Sequence, residues 1–478
     1  MKRLLLIGAL LAVLSGSLSA NAITGFQPTE CEYEIPAAIT AQAAVTCGTV
    51  SAPVDPAKPD GTSVHLAVVR ISAVDNPAPD PIIFLSGGPG VGLDAYWKAV
   101  LGMMDGGLLT ATGRDLILFD QRGVGQSTPS LACDVETGAA RRLPSMDVNR
   151  TCSARLSEEG IALSAFTTVN NAADVDAVRR AMGYESVNLF GHSYGSRLAL
   201  SVMRYQPQGV RTVVLEGVFP PNARFIALPR YVAGSLDRVF ETCAADAACT
   251  EAYGDLEALF SETYANLKAE PRGGLDHMML VRGIYYLMQG SRADRPSMIP
   301  AFIAGAATGD RILIAQAFAL VNDEIPPRDI VSEGMQTLIN CADEAPFLTE
   351  AHLAEFNQGV RPEILEVFTG SVRNQFLVQC RNWPRVELDP AHYEGVVSDI
   401  PTLIVNGTFD QVTALENAQL AADSLSNATL IPFPGWGHWP LGRGNPCAVS
   451  IYAAFLTAPE IEPDPSCVAE TPVTFFVP

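Results

Sequence analysis

Positive charge is scarce. Lysine and arginine together number 31 in 478 residues, against 52 aspartates and glutamates, and the formal net charge is −21. The first 22 residues hold Lys2 and Arg3 and no acid, so the chain without them is more acidic still. A surface of that sign repels phosphate backbones and anionic headgroups, which excludes nucleic acid as a partner. Histidine is rare as well, six residues in all, so imidazole chemistry has few candidates. Beyond the N-terminus there is no long apolar run, and no membrane span is expected in the mature chain. Internal repeats and low-complexity tracts are missing, which excludes solenoids and biased tails. No donors stand at metal-site spacing, because Cys243 and Cys249 are isolated from other ligands. Neither a metal nor an organic cofactor is expected, and no feature sets an oligomeric state.

The N-terminus carries a secretory pattern. Met1-Lys2-Arg3 precedes an apolar run from Leu4 to Leu14, and small residues end at Ala20-Asn21-Ala22. Residues 1–22 read as a signal peptide, with the mature chain starting at Ile23 and cleavage after Ala20 as the alternative. Export to a periplasm or the medium follows. No Cys stands at the cleavage point to take a lipid. The ten cysteines are Cys31, Cys47, Cys133, Cys152, Cys243, Cys249, Cys341, Cys380, Cys447 and Cys467. An oxidising compartment favours bridges over free thiols. Sequence neighbours can pair into five local loops, although spacing alone leaves connectivity open.

After a lead-in from Ile23 to Val54, short apolar runs alternate with helical patterns. Ser63–Ser72, Ile82–Leu85, Asp115–Phe119, Val187–Phe190 and Thr212–Leu215 read as strands. Asn170–Met182 reads as a helix, with Asn170 or Asn171 as its cap and Val175, Val178 and Met182 on one face. Past Pro220-Pro221 helical periodicity dominates until about Asp399, as in Leu256–Leu267 and Ile312–Val321. Strands return at Pro401–Val405 and Thr429–Pro432, with helices at Leu415–Leu425 and Ala448–Leu456. The expected architecture is an α/β, mostly parallel sheet flanked by helices. Its core is expected in residues 23–219 and 400–478, with a helical cap inserted at 220–399.

The chemistry is read from five short motifs. Gly191-His-Ser193-Tyr-Gly195 joins a strand pattern to a helix pattern, the context of a nucleophile elbow. The flanking glycines suit a turn too tight for side chains, and the helix start aims N–H groups at developing negative charge. A serine nucleophile needs a base and a group that orients the base. Asp410 follows the strand around Thr402–Val405, and His438 lies in a glycine-rich loop after the strand near Thr429. The order Ser193, Asp410, His438 is that of α/β-hydrolases. The alternative duty of Asp410 is to cap the next helix. The oxyanion donors are expected at the Tyr194 N–H and in the glycine loop after Leu85, at Gly87-Gly88. Asp120-Gln-Arg122-Gly is expected to tie loops together beneath that glycine turn.

Gly87-Gly-Pro-Gly90, Asp120-Gln-Arg-Gly123, Gly191-His-Ser-Tyr-Gly195, Gly407-Thr-Phe-Asp410 and Gly437-His438, in that order, resemble the prolyl aminopeptidase group of α/β-hydrolases. The resemblance is strongest to exported tripeptidyl aminopeptidases with a TAP-like C-terminal region. It implies the α/β-hydrolase fold and release of residues from the free N-terminus of peptide substrates. It assigns Ser193 as nucleophile, His438 as base, Asp410 as its orienting acid, and the Gly88 and Tyr194 N–H groups to the oxyanion. Relatives with a His-Gly-Gly-Pro-Gly loop carry His where this chain has Ser86. An exopeptidase must also hold the substrate ammonium. Asp343 and Glu344 are the preferred anchors, since a Cys341–Cys380 bridge would fix them over the site, and Glu216 is a further candidate. The same triad serves a secreted carboxylesterase or lipase, and a catalytically dead fold can serve as a binding module.

Overall fold

The computed structural model describes residues 25–133, 146–272, 274–290, 294–322, 331–442, 444–470 and 473–477. The expected signal peptide lies outside them. Nine strands form one sheet: β1 (Gln27–Thr29), β2 (Ala44–Pro53), β3 (Ser63–Ser72), β4 (Ile82–Leu85), β5 (Leu116–Phe119), β6 (Val187–His192), β7 (Val210–Glu216), β8 (Thr402–Gly407) and β9 (Ala428–Phe433). Their order is β1-β2-β3-β5-β4-β6-β7-β8-β9. The first three are antiparallel neighbours and β3 meets β5 antiparallel. From β5 through β4 and β6 to β9 every pairing is parallel.

A parallel sheet covered on both faces demands strands that are apolar on both sides. β4, β5, β6 and β8 are buried at every residue. Alternate residues feed two cores. Ile83, Leu85, Leu189, Val213, Leu215 and Ile404 pack under the helices Thr168–Ala181 and Tyr194–Tyr205. Ile82, Phe84, Phe190, Val214, Leu403 and Val405 pack on the opposite face, under Trp97–Asp105 and Pro446–Thr457.

Two local expectations need correction. The lead-in, for which no strand is expected, supplies β1 and the ten-residue β2. The helix expected at Asn170 begins at Thr168, and its cap is Thr167, whose side chain accepts the Asn170 N–H. Between β7 and β8 the named elements are helices, from Phe225–Ala227 to Pro390–Tyr393, around a core that includes Phe260, Leu287 and Phe302 and takes in Phe409 from beyond β8. All ten cysteines are bridged, each to its sequence neighbour: 31–47, 133–152, 243–249, 341–380 and 447–467. No helix among the described residues is long and apolar enough to cross a membrane.

Candidate active site

Ser193 stands between β6 and the helix Tyr194–Tyr205 with φ 58° and ψ −124°. It is one of two non-glycine residues at positive φ among the described residues. Such a conformation costs on the order of 1–3 kcal/mol and persists only where the surroundings enforce it. The surroundings do. The Ser193 N–H donates to the Glu216 carbonyl at 2.9 Å, which ties the turn to the end of β7. A Cβ on Gly191 would run into the Gly195 carbonyl, and one on Gly195 into the Leu85 carbonyl at the end of β4. Both glycines of the motif are therefore required by packing between backbones.

The glycine loop after β4 faces this turn. A Cβ on Gly87 would lie 2.8 Å from the Ser193 Cβ. The Gly87 N–H is spoken for, donating to the Tyr96 hydroxyl at 2.7 Å. The Gly88 and Tyr194 N–H groups make no hydrogen bond within the described residues. Both are therefore unspent. Beneath them Gln121 Nε2 donates to the Ser86 carbonyl and hydroxyl, both at 3.0 Å. Asp120 accepts the Tyr33 hydroxyl and the Leu93 and Gln126 N–H groups. Arg122 is buried in a pair with Asp174 at 2.6 Å.

His438 and Asp410 come together as the strand ends suggest. His438 Nδ1 lies 2.9 Å from Asp410 Oδ2. Asp410 Oδ1 accepts the Val412 and Thr413 N–H groups, both at 2.9 Å, so the local turn role exists beside the contact to His438. Sequence reasoning missed Thr413. Its hydroxyl donates to Asp410 Oδ2 at 2.6 Å, which leaves its lone pairs for the His438 Nδ1–H at 3.0 Å. The only sequence signal was its place three residues beyond the acid. The His438 N–H donates to the Met288 carbonyl at 3.3 Å, and a Cβ on Gly217 would press on the imidazole. The His438 ring centroid is 4.9 Å from that of His192, the residue before Ser193. No hydrogen bond joins the Ser193 hydroxyl to His438 among the described residues, a looseness common before substrate arrives. Replacing Thr413 by valine is expected to lower kcat about 10-fold with little change in KM, and serine is expected to restore it. Steady-state kinetics on the two variants checks this.

The three carboxylates expected to hold an ammonium differ in their surroundings. Glu216 is fully buried, and its Oε1 accepts the Leu441 N–H and the Tyr452 hydroxyl. Burial pushes its carboxyl up to about 8, so it is neutral near pH 7 and unsuited to an ammonium. Glu216 is thereby removed from the anchors. Asp343 is saturated: Oδ1 meets His392 Nε2 at 3.0 Å, and Oδ2 meets the Thr168 hydroxyl at 2.8 Å and Arg197 at 3.3 Å. Burial alone would raise it, but His392 and Arg197 outweigh that and hold it below the usual carboxylate range. Glu344 is different. Both of its oxygens are buried without a hydrogen-bond partner, with Arg197 Nη1 3.7 Å away. Burial, partly offset by Arg197, Arg224 and the neighbouring Phe225 N–H, pushes it up to about 6. Among the described residues no group of three His, Cys, Asp or Glu could hold a metal ion.

Residues 80–265 match the alpha/beta hydrolase fold family, and residues 366–467 match the family described as TAP-like protein. The chain thus carries an α/β-hydrolase domain and a TAP-like domain, and its fold is that of the α/β-hydrolases. Among its relatives, the serine protease Hip1 of Mycobacterium tuberculosis is 26% identical over 457 residues, 86% of this chain and 84% of that protein. The tripeptidyl aminopeptidase of Streptomyces lividans is 29% identical over 226 residues, 44% of this chain and 41% of that one. Carboxylesterase B of Mycobacterium tuberculosis is 26% identical over 443 residues, 84% of this chain and 82% of that protein.

Proposed function

We propose that this protein is an exported serine exopeptidase that cleaves peptides close to their free N-terminus, as a tripeptidyl or prolyl aminopeptidase does. Ser193 Oγ attacks the scissile carbonyl while His438 Nε2 takes its proton. Asp410 and Thr413 hold the Nδ1–H and stabilise the imidazolium that forms. The Gly88 and Tyr194 N–H groups receive the oxyanion. His438 then passes the proton to the leaving amine, and water, activated by the same imidazole, releases the acyl group from Ser193. The helical segment 220–399 acts as a cap that supplies the ammonium anchor. The observation that carries the exopeptidase reading is Glu344, a buried carboxyl that makes no side-chain hydrogen bond and whose ion-pair contact to Arg197 is long, at 3.7 Å. Its segment is pinned by the Cys341–Cys380 bridge and by Arg197, one turn along the helix that starts behind Ser193. Five disulfides support an oxidising compartment, and with it export.

The name of one relative, Carboxylesterase B, favours a second reading in which the acyl donor is an ester. Four chromogenic substrates separate the two: a free-amine tripeptide anilide, its N-blocked twin, a proline anilide and a short acyl ester. Selective cleavage of the free tripeptide, lost in Ser193→Ala, is the expected result. Cleavage of the proline anilide instead would make the enzyme a single-residue aminopeptidase. Ester turnover with no amide turnover would replace the peptidase reading by the esterase one.

A further inference from the structure

Glu216, removed from substrate binding, has a place between the two halves of the catalytic apparatus. Its backbone carbonyl takes the Ser193 N–H at 2.9 Å. Its side chain takes the Leu441 N–H, three residues beyond His438, and the Tyr452 hydroxyl at 2.9 Å. One residue at the end of β7 thus grips both the nucleophile turn and the base loop. Two neighbours extend the grip. The next residue, Gly217, lacks the Cβ that would press on the His438 ring at 3.1 Å. The loop's Trp439 stacks on His192 at 4.2 Å and 20°, and its edge meets Tyr96 at 5.7 Å. Tyr96 in turn accepts the Gly87 N–H of the oxyanion loop.

We propose that Glu216 is a positioning residue that sets the distance between Ser193 and His438 by holding the base loop against the end of β7. This rests on the catalytic roles assigned above to Ser193 and His438. The groups facing the Glu216 carboxyl are His192 on β6, Tyr452 on the helix Pro446–Thr457, the base loop with Trp439, and Asp410 farther off on the β8 side. None is a fixed cation. His192 Nδ1 is 3.8 Å from Glu216 Oε2, and both atoms are buried without a hydrogen-bond partner. Burial first, then His438, keeps His192 well below its ordinary value, so it stays neutral. A neutral Glu216 is the form that this pocket tolerates, in keeping with its rise to about 8. Ionisation above that pH puts an unpaired negative charge into a buried site that already holds Asp410. The sign for stability follows. The folded state keeps a proton that the unfolded chain loses near the ordinary carboxyl value of 4.5, so stability falls as pH rises from there to about 8.

The experiment is the rate of Ser193 labelling by a fluorophosphonate between pH 5 and pH 10, in the full enzyme and in Glu216→Gln and Glu216→Leu, with melting curves for each. The wild-type rate is expected to fall above about pH 8. Glutamine mimics the neutral acid, so Glu216→Gln is expected to keep the neutral-pH rate within a few-fold and to lose the alkaline fall. Glu216→Leu leaves the Leu441 N–H unpaired and is expected to slow labelling at least 10-fold at every pH. Superposable pH profiles for wild type and Glu216→Gln, or equal losses in the two variants, would overturn the proposal. Labelling that survives Ser193→Ala would instead sink the catalytic reading itself, and this one with it.

Discussion

Ser193→Ala is expected to lower kcat by roughly 10⁴-fold or more on any substrate the enzyme turns over, and to leave the melting temperature within a degree or two. The two halves of that expectation have separate causes. In the proposed mechanism the hydroxyl is the attacking atom, so its loss removes the acyl-enzyme route and leaves only what the oxyanion donors and substrate binding contribute. Stability is spared because the Ser193 hydroxyl makes no hydrogen bond among the described residues, while its N–H bond to Glu216 belongs to the backbone. Alanine keeps the Cβ and so inherits the strain at φ 58° without adding to it. His438→Ala is expected to cost nearly as much alone, and the double variant little more than either single one, because the pair acts as a unit. Stopped assays with active-site titration measure all three. A Ser193→Ala enzyme with more than about a hundredth of the wild-type rate would show that another group does the chemistry.

What the sequence made legible depends on how local each cause is. The elbow was readable because its glycines answer to backbone a few residues away or to one neighbouring strand. The meeting of Asp410 with His438 was readable because a parallel sheet delivers its strand ends to one edge, so strand patterns followed by loops bring the two side chains together. The antiparallel β1 and β2 were not. Half of β2 is partly exposed or exposed, and without a buried run its residues resemble an extended lead-in. Thr413, Tyr96 and Trp439 were not either: Thr413 meets His438 25 residues on, the Tyr96 hydroxyl takes the Gly87 N–H across a loop, and Trp439 stacks on His192 far back in the chain. The acidic candidates show the limit most clearly. In the sequence Glu216, Asp343 and Glu344 are three equivalent carboxylates. In the fold one is held neutral by burial, one is saturated by His392, Thr168 and Arg197, and one has only a long ion-pair contact to Arg197. Solvation and pairing decide this, and neither is encoded within a short window of sequence.

That difference makes Glu344→Gln the most informative change after the nucleophile. On a free-amine tripeptide anilide its kcat/KM is expected to fall roughly 10²-fold, the size of losing a charge-assisted contact in a buried site. On the N-blocked twin, which brings no ammonium, it is expected to change less than about 3-fold, a small fraction of the same contact. The pH dependence adds a check. The carboxyl must be ionised to hold an ammonium, and it ionises above about 6 because burial has raised it. The kcat/KM for the free-amine substrate is therefore expected to drop as pH falls through 6, more steeply than for the blocked one, and Glu344→Gln is expected to remove that difference. A competing account makes Glu344 only the counter-ion of Arg197 and Arg224. Arg197 Nη1 lies 3.7 Å from it, and the Arg224 guanidinium sits 3.8 Å above the Phe347 ring in the same segment. A counter-ion lost from a buried pair leaves a charge behind, which destabilises by roughly 3–5 kcal/mol whatever the substrate. Under that account both substrates lose rate together and the melting temperature falls with them. The anchor reading requires the two substrates to part company while the fold holds.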